Sequence, residues 1–196
     1  MDGEFVTILT QNKTKEKTYM RTKLRNRTRY LCQAAMIAAL YIVLTWVSAT
    51  LGLDSKTPQC RLSEALAVLP LFMPASVPGL AIGCFVANVL FSPVPADWIF
   101  GTLATLIGAV LCRLIGRVWQ SYHIPNLVVA TLPNAIANTV IVPLVLQYAY
   151  GLGEGYVVLM LGVGAGEVLS GVVFGVLLAL SIPPSLKKRL ASIQLG

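Results

Sequence analysis

Residues 59–66 read Gln59-Cys60-Arg61-Leu62-Ser63-Glu64-Ala65-Leu66, so an arginine and a carboxylate stand three positions apart at the start of an apolar run. Charged residues make up only 12% of the 196-residue chain, and 56% of its residues are hydrophobic. A soluble domain carries about 25% charged residues, so this composition indicates an integral membrane protein. Because an ionisable group at membrane depth costs about 3 kcal/mol or more, the pair predicts the entrance of a binding site.

The basic residues are unevenly placed along the chain. The net charge is +7, but eight of the fifteen Lys and Arg residues lie between Lys13 and Arg29, before the first long apolar run. We predict that residues 1–29 form a basic cytoplasmic tail, partly disordered or added for expression. A tail of this kind favours a membrane surface over nucleic acid as the neighbour. No apolar segment of signal-peptide type precedes Arg29, so a cleaved signal peptide is not expected.

Six apolar runs follow the tail, and each predicts a helix of a membrane domain over residues 30–183. The second and third runs are short and are separated by Pro70, Pro74 and Pro78, so they form two short helices or a broken hairpin. A second basic tail, residues 184–196, closes the chain after the sixth run. The predicted spans are 30–53, 62–73, 77–91, 97–114, 126–148 and 156–182.

The remaining basic residues indicate the orientation of these spans. With six crossings, thirteen Lys and Arg residues fall on one side of the membrane, and only Lys56 and Arg61 fall on the other. Basic residues concentrate in cytoplasmic loops. The sequence therefore predicts an all-α, multi-pass protein of the cell membrane, a six-helix bundle with both termini in the cytoplasm.

Several polar residues interrupt or border the apolar runs. At about 1.5 Å per helical residue, Glu167 lies roughly 16 Å below the outer face, whereas Glu64 lies close to the outer rim. Intramembrane ionisable groups are usually functional, so Glu167 is the predicted centre of a polar pocket that opens outward. The candidate substrate-binding residues are Glu167, Glu64, Asn138, Asn134, Arg61, Asp97 and Asn88.

Most of these residues also have a plainer explanation. Arg61 and Glu64 could form a local ion pair one helical turn apart. Asp97 could cap the N-terminus of the fourth span, and the two asparagines of the fifth span could bind backbone groups freed by Pro133. Nothing near Glu167 in the sequence neutralises its charge, so a function is favoured there.

Motifs of several enzyme classes are absent from the sequence. It contains no G-x-x-x-x-G-K-[ST], H-E-x-x-H or G-x-S-x-G, so we predict neither ATP hydrolysis nor another enzymatic activity in this chain. The four cysteines are isolated and His123 is the only histidine, so no metal site is expected. A bundle with an outward pocket and no energy source suggests a capture subunit that depends on partners.

The first span carries four small residues at helical spacing, on the half nearer the cytoplasm. Small residues let two membrane helices approach closely. The resulting smooth face could pack inside this protein or dock another membrane subunit, and spacing alone does not distinguish the two. The four residues are Ala34, Ala35, Ala38 and Ala39.

The opening stretch, extended to Pro70, resembles the Q-x-R-[IL]-S-E-A-L-x-V-L-P signature of the QueT family. Segments 78–88 and 97–105, an asparagine of the fifth span and Gly166-Glu167 are similar to the same family, so the resemblance covers roughly residues 30–182. The family is the queuosine-precursor group of substrate-binding S components in energy-coupling factor (ECF) importers. The resemblance implies the S-component fold of six helices, with no cofactor in this chain.

The resemblance also implies partners and a ligand. The partners would be a transmembrane scaffold subunit, which docks on the alanine face, and two cytoplasmic ATPases that use ATP and Mg. The ligand would be 7-aminomethyl-7-deazaguanine or a close relative. Its guanine-like edge has two N–H donors that one carboxylate can accept, and its aminomethyl cation needs a second acceptor. Glu167 and Glu64 are the candidates for these roles, with Asn138 and Asn134 orienting the ring and Asp97 as an outer alternative.

Two other functions fit the same sequence. An S component of this fold could carry another vitamin such as cobalamin, which would need a wider pocket with mobile outer loops. A membrane scaffold or assembly protein would bind no small ligand. Binding of each candidate ligand to the purified protein separates these possibilities.

Overall fold

The computed structural model of the protein describes residues 2–53, 59–118, 123–151 and 153–191. The elements within these ranges are helices, and no strand occurs among them. We call the 3-10 helix Leu62–Leu71 the central helix. The elements in chain order are α1 (Asp2–Thr50), the central helix, α2 (Ser76–Phe91), α3 (Pro95–Val118), α4 (Ile124–Tyr148), α5 (Tyr156–Glu167), a π-helical segment (Val168–Val173), α6 (Phe174–Ser181) and α7 (Pro184–Ala191).

Four helical stretches are long and apolar enough to cross a membrane, namely Lys15–Thr50, Pro95–Val118, Ile124–Tyr148 and Tyr156–Ser181. The prediction of an all-helical, multi-pass membrane protein is therefore confirmed. The predicted second and third spans correspond to two helices that are shorter than these four stretches, the ten-residue central helix and the sixteen-residue α2. Lys56, one of the two basic residues predicted on the outer side, lies outside the described residues.

The two predicted tails contribute helix to the structure. Residues 2–29, predicted as an N-terminal tail, are the first part of α1, which continues without a break to Thr50. At the other end, α6 ends at Ser181 and α7 begins at Pro184, where the sequence predicts the end of the sixth span.

The central helix runs antiparallel to α1 through the middle of the bundle. At one end the Leu62 amide donates to Ser48 Oγ at 2.8 Å, and just beyond the other end the Tyr30 hydroxyl donates to the Pro74 carbonyl at 3.4 Å. A 3-10 helix rises about 2 Å per residue, so ten residues reach farther than ten α-helical residues would. Eight of its ten residues are buried, and four of them belong to the main apolar core, so this short helix packs inside the bundle rather than facing lipid.

Glycines on two flanking helices let their backbones approach the central helix. A Cβ at Gly116 of α3 would lie 2.9 Å from the Leu71 carbonyl oxygen. A Cβ at Gly175 of α6 would lie 3.4 Å from the Ala65 carbonyl oxygen. The central helix thus packs against α1, α3 and α6. A side chain at Gly116 would push α3 away from it.

α2 packs against α1 through two glycines one helical turn apart. A Cβ at Gly79 would lie 2.7 Å from the Ala34 carbonyl oxygen, and one at Gly83 would lie 3.0 Å from Ala38 Cα. Ala34 and Ala38 are both 8% exposed as a result. The prediction that they belong to a partner-docking face is therefore corrected, because α2 already covers them.

Ala35 and Ala39 lie on the other side of α1 and are exposed. This division gives a direct test of the α1–α2 contact. Ala34→Leu is expected to lower the free energy of unfolding by about 1–3 kcal/mol, because the added carbons have no room beside Gly79. Thermal denaturation of the purified protein in detergent measures the loss. Ala35→Leu is the matched control and should denature like the wild type, and equal losses in the two variants would contradict the packing described here.

Candidate functional site

Glu64 is buried in the middle of the bundle, with 2% of its surface exposed, and accepts three side-chain hydrogen bonds. The Tyr41 hydroxyl donates to Oε1 at 2.5 Å. The Asn134 and Asn138 amides donate to Oε2 at 2.7 Å and 3.4 Å. Because a buried carboxylate is stable only when its oxygens have donors, these bonds join α1, the central helix and α4 around one charge.

The depth of Glu64 differs from the prediction, which placed it at the outer rim. Its partner Tyr41 precedes Thr50, the last residue of α1, by nine positions, or about 13 Å along the helix. The estimate failed because it assumed that a helix begins at the membrane surface. In the structure the non-helical residues 59–61 carry the chain into the bundle before the central helix begins at Leu62.

Glu167, the last residue of α5, lies close to Glu64 and is 7% exposed. The two carboxylates border the same side of Gly171, where a Cβ would lie 3.3 Å from Glu167 Oε2 and 3.9 Å from Glu64 Cβ. The π-helical segment begins directly after Glu167. Such segments insert one extra residue into a helix and often occur at functional sites. The prediction that Glu167 lies inside the bundle agrees with this position.

Two buried acceptors at this site lack a donor among the described residues. Within the part of the chain that the structure describes, Glu167 Oε2 and Asn134 Oδ1 have no hydrogen-bond partner. Buried polar atoms are almost always paired, so these two need an explanation in a ligand or in function. Among the same residues, no three acidic, cysteine or histidine side chains come together as metal ligands.

A second group, which we call the outer cluster, consists of Arg61, Asn88, Asp97 and Tyr150. Arg61 donates to Asn88 Oδ1 at 3.2 Å, and its Nη2 lies 3.7 Å from Asp97 Oδ2. The Asn88 amide donates to the Asp97 backbone carbonyl at 3.1 Å, and the Tyr150 hydroxyl donates to Asp97 Oδ2 at 3.4 Å. Burial raises the pKa of the Tyr150 hydroxyl, so it acts as a neutral donor at neutral pH.

These contacts decide between the explanations that the sequence leaves open. α3 begins at Pro95, so Asp97 is its third residue and not its N-cap. Arg61 reaches side chains of α2 and α3, so its contacts are not confined to one helical turn. Asn134 donates to Glu64 instead of to backbone freed by Pro133. The seven predicted residues thus form two adjacent groups, one around the two glutamates and one around Arg61.

Tyr41 and Tyr150 are site residues that the sequence reasoning missed. A signal for Tyr41 does exist, because Tyr41, Thr45 and Ser48 form a polar stripe at i, i+4 and i+7 in an otherwise apolar span. Each of the three contacts the central helix: Thr45 donates to Ser63 Oγ at 2.9 Å, and Ser48 accepts from the first amide of that helix. Tyr150 follows α4 in a loop, and no comparable pattern marks it.

A family model described as QueT transporter matches residues 31–184, which include both groups of polar residues. No curated protein and no solved structure matches the chain.

Proposed function

Because the chain belongs to the QueT transporter family, we propose that it is the substrate-binding S component of an ECF importer and captures a queuosine precursor from outside the cell. One observation supports this class of ligand above all, namely the excess of buried acceptors around Glu167 and Glu64. A 7-deazaguanine with an aminomethyl group supplies N–H donors and a cation to such a site. Glu167, Glu64, Asn134 and Asn138 would surround it.

The proposed arrangement has six crossings of the cell membrane and both termini in the cytoplasm. The distribution of thirteen basic residues against two supports it. So does the position of α7, where Lys187 Nζ lies 5.2 Å from the ring centroid of Phe72, the residue that follows the central helix. The last helix therefore returns to the end of the bundle where Tyr30 meets Pro74.

The outer cluster would border the ligand site on the outer side. Arg61 and Asp97 connect the residues before the central helix to the start of α3, and Tyr150 connects the loop after α4 to the same carboxylate. Ion pairs that lie only partly in water resist screening more than exposed pairs do. We propose that this cluster keeps water from the two glutamates once a ligand is bound.

The proposed partners are a transmembrane scaffold subunit and two cytoplasmic ATPases, which would supply the ATP- and Mg-dependent steps. Ala35 and Ala39 remain available for docking on the scaffold, since they are exposed on α1. Met36, next to them, is 73% exposed, which is consistent with a surface that faces lipid or another membrane protein.

Isothermal titration of the purified protein in detergent with 7-aminomethyl-7-deazaguanine tests the proposed function. We expect saturable binding of one ligand per chain, and we expect Glu167→Gln to weaken it about tenfold or more, because a charge-assisted hydrogen bond is lost. Cobalamin is the comparison ligand. Tight binding of cobalamin without binding of the deazaguanine would overturn the proposed substrate, and binding of neither would favour a scaffold protein.

A further inference from the structure

The two buried glutamates differ in how far their oxygens are already satisfied. Glu64 accepts from Tyr41 on Oε1 and from Asn134 and Asn138 on Oε2. An ionised carboxylate offers about four acceptor positions, so three of those on Glu64 are in use inside the protein. Glu64 therefore has little remaining capacity for a ligand.

By contrast with Glu64, two other acceptors at this site, Glu167 Oε2 and Asn134 Oδ1, still have their full capacity for a ligand's donors. They are the site's buried acceptors without a donor among the described residues, and their side chains are 7% and 0% exposed. Leaving such groups unpaired lowers stability, so their retention points to a ligand that supplies the donors. Gly171 leaves the space beside Glu167 Oε2 open, because it has no Cβ.

The orientation of the Asn134 amide depends on Glu64. A carboxylate accepts and an amide group has one donating and one accepting end, so only the NH₂ end of Asn134 can face Glu64 Oε2. That bond turns Oδ1 away from Glu64 and toward Gly108 of α3, where a Cβ would lie 2.5 Å from it, and Oδ1 has no donor among the described residues. Glu64 thus determines which end of Asn134 is available to a ligand.

We infer that Glu167 Oε2 and Asn134 Oδ1 are the acceptors that contact the ligand, and that Glu64 is a positioning residue that orients Asn134. The ligand is then a small molecule with at least two N–H donors, at least one of them cationic, because a cation at Oε2 stabilises the ionised form of Glu167. The inference rests on the proposed function for the identity of that molecule, but the division of roles between the two glutamates stands on the hydrogen bonds alone.

A pair of ligands with one ring system tests the role of Glu167. 7-Aminomethyl-7-deazaguanine ends in a cationic donor, and 7-cyano-7-deazaguanine carries a nitrile acceptor in its place. We expect the wild type to prefer the aminomethyl compound about tenfold or more in titration calorimetry, and Glu167→Gln to remove most of that preference. Tyr41→Phe, which removes one donor from Glu64, should weaken both ligands equally. A preference lost in Tyr41→Phe and kept in Glu167→Gln would overturn the inference.

A swapped pair tests the positioning role of Glu64. Asn134→Asp should lose binding about tenfold or more, because it sets two acceptors against each other at positions 64 and 134. Glu64→Gln alone should lose less, since its amide oxygen can still accept from Asn134. In the double variant the amide introduced at position 64 donates to the carboxylate introduced at position 134, so the hydrogen bond is restored in the reverse direction. The second oxygen of that carboxylate again remains for the ligand. Recovery of binding in the double variant supports the inference, whereas additive losses would mean that Glu64 contacts the ligand itself.

Thermal denaturation without ligand separates this inference from the proposed function. Glu167→Gln should raise the denaturation temperature by roughly 2–4 °C, because it removes an unpaired acceptor beside Glu64, whereas Glu64→Gln should lower it. If this pattern appears and neither deazaguanine binds, the proposed ligand is wrong and the division of roles stands. A lower denaturation temperature for Glu167→Gln would overturn the division of roles whatever ligand binds.

Discussion

Glu64→Ala is expected to abolish ligand binding and to lower the free energy of unfolding by about 3–5 kcal/mol, as removal of one partner from a buried charged network generally does. Three donors, the Tyr41 hydroxyl and the Asn134 and Asn138 amides, lose their acceptor at once. All three side chains are buried, so water cannot replace the carboxylate without entering the bundle. The central helix would also lose its polar contact with α4.

Thermal denaturation in detergent and titration calorimetry measure the two effects of Glu64→Ala. Glu16→Ala removes an exposed carboxylate from the N-terminal part of α1 and serves as the matched control, with no change expected in either measurement. If Glu64→Ala were as stable as Glu16→Ala, the hydrogen bonds around Glu64 would not contribute to the fold. That result would also remove the basis for treating Glu64 as a positioning residue.

Gly108→Ala is the second substitution with a large expected effect. A Cβ at Gly108 of α3 would lie 2.5 Å from both Asn134 Cα and Asn134 Oδ1, so α3 and α4 would have to separate. We expect the free energy of unfolding to fall by about 1–3 kcal/mol or more. Ligand affinity should fall about tenfold or more as well, because a shift of about 1 Å moves Asn134 away from Glu64.

Gly164→Ala is the matched control for this contact. A Cβ at Gly164 of α5 would lie 3.2 Å from Thr139 Cγ2, the end of a side chain, so a small adjustment makes room for it. Both stability and binding should stay close to those of the wild type. Similar losses in Gly108→Ala and Gly164→Ala would mean that the close approach of α3 and α4 is not specific to the site.

Much of this architecture can be predicted from the sequence because lipid is a demanding solvent. Backbone groups in a bilayer must bond within a helix, so apolar runs predict helices, and the predicted ends near residues 148, 156 and 182 fall within about two residues of the ends of α4, α5 and α6. Charge is scarce in the same runs, so polar residues there are conspicuous. Glu64, Glu167 and the two asparagines could therefore be selected before their contacts were known.

The features that escaped prediction depend on rotation and depth, which a hydropathy pattern does not contain. Four alanines on adjacent turns of α1 offer two equally smooth faces, and only the glycines of α2 decide that Ala34 and Ala38 are the buried pair. A ten-residue apolar run also gives no indication that its helix is of the 3-10 type. The predicted depth of Glu64 was wrong because that depth depends on where the central helix begins, which the hydropathy pattern does not show.

The shortness of the central helix has a consequence for how the protein is made. At about 2 Å per residue it is roughly 20 Å long, less than the ~30 Å hydrocarbon core, so it has no stable position as an isolated span. Ser48 and Thr45 offer it a hydrogen-bonded neighbour as soon as α1 has been inserted. α6, which packs against the central helix at Gly175, is more than one hundred residues further along the chain. At about 5–20 residues per second, the ribosome needs roughly 5–20 s to supply it. During that interval the side of the central helix that α6 covers in the finished protein stays open.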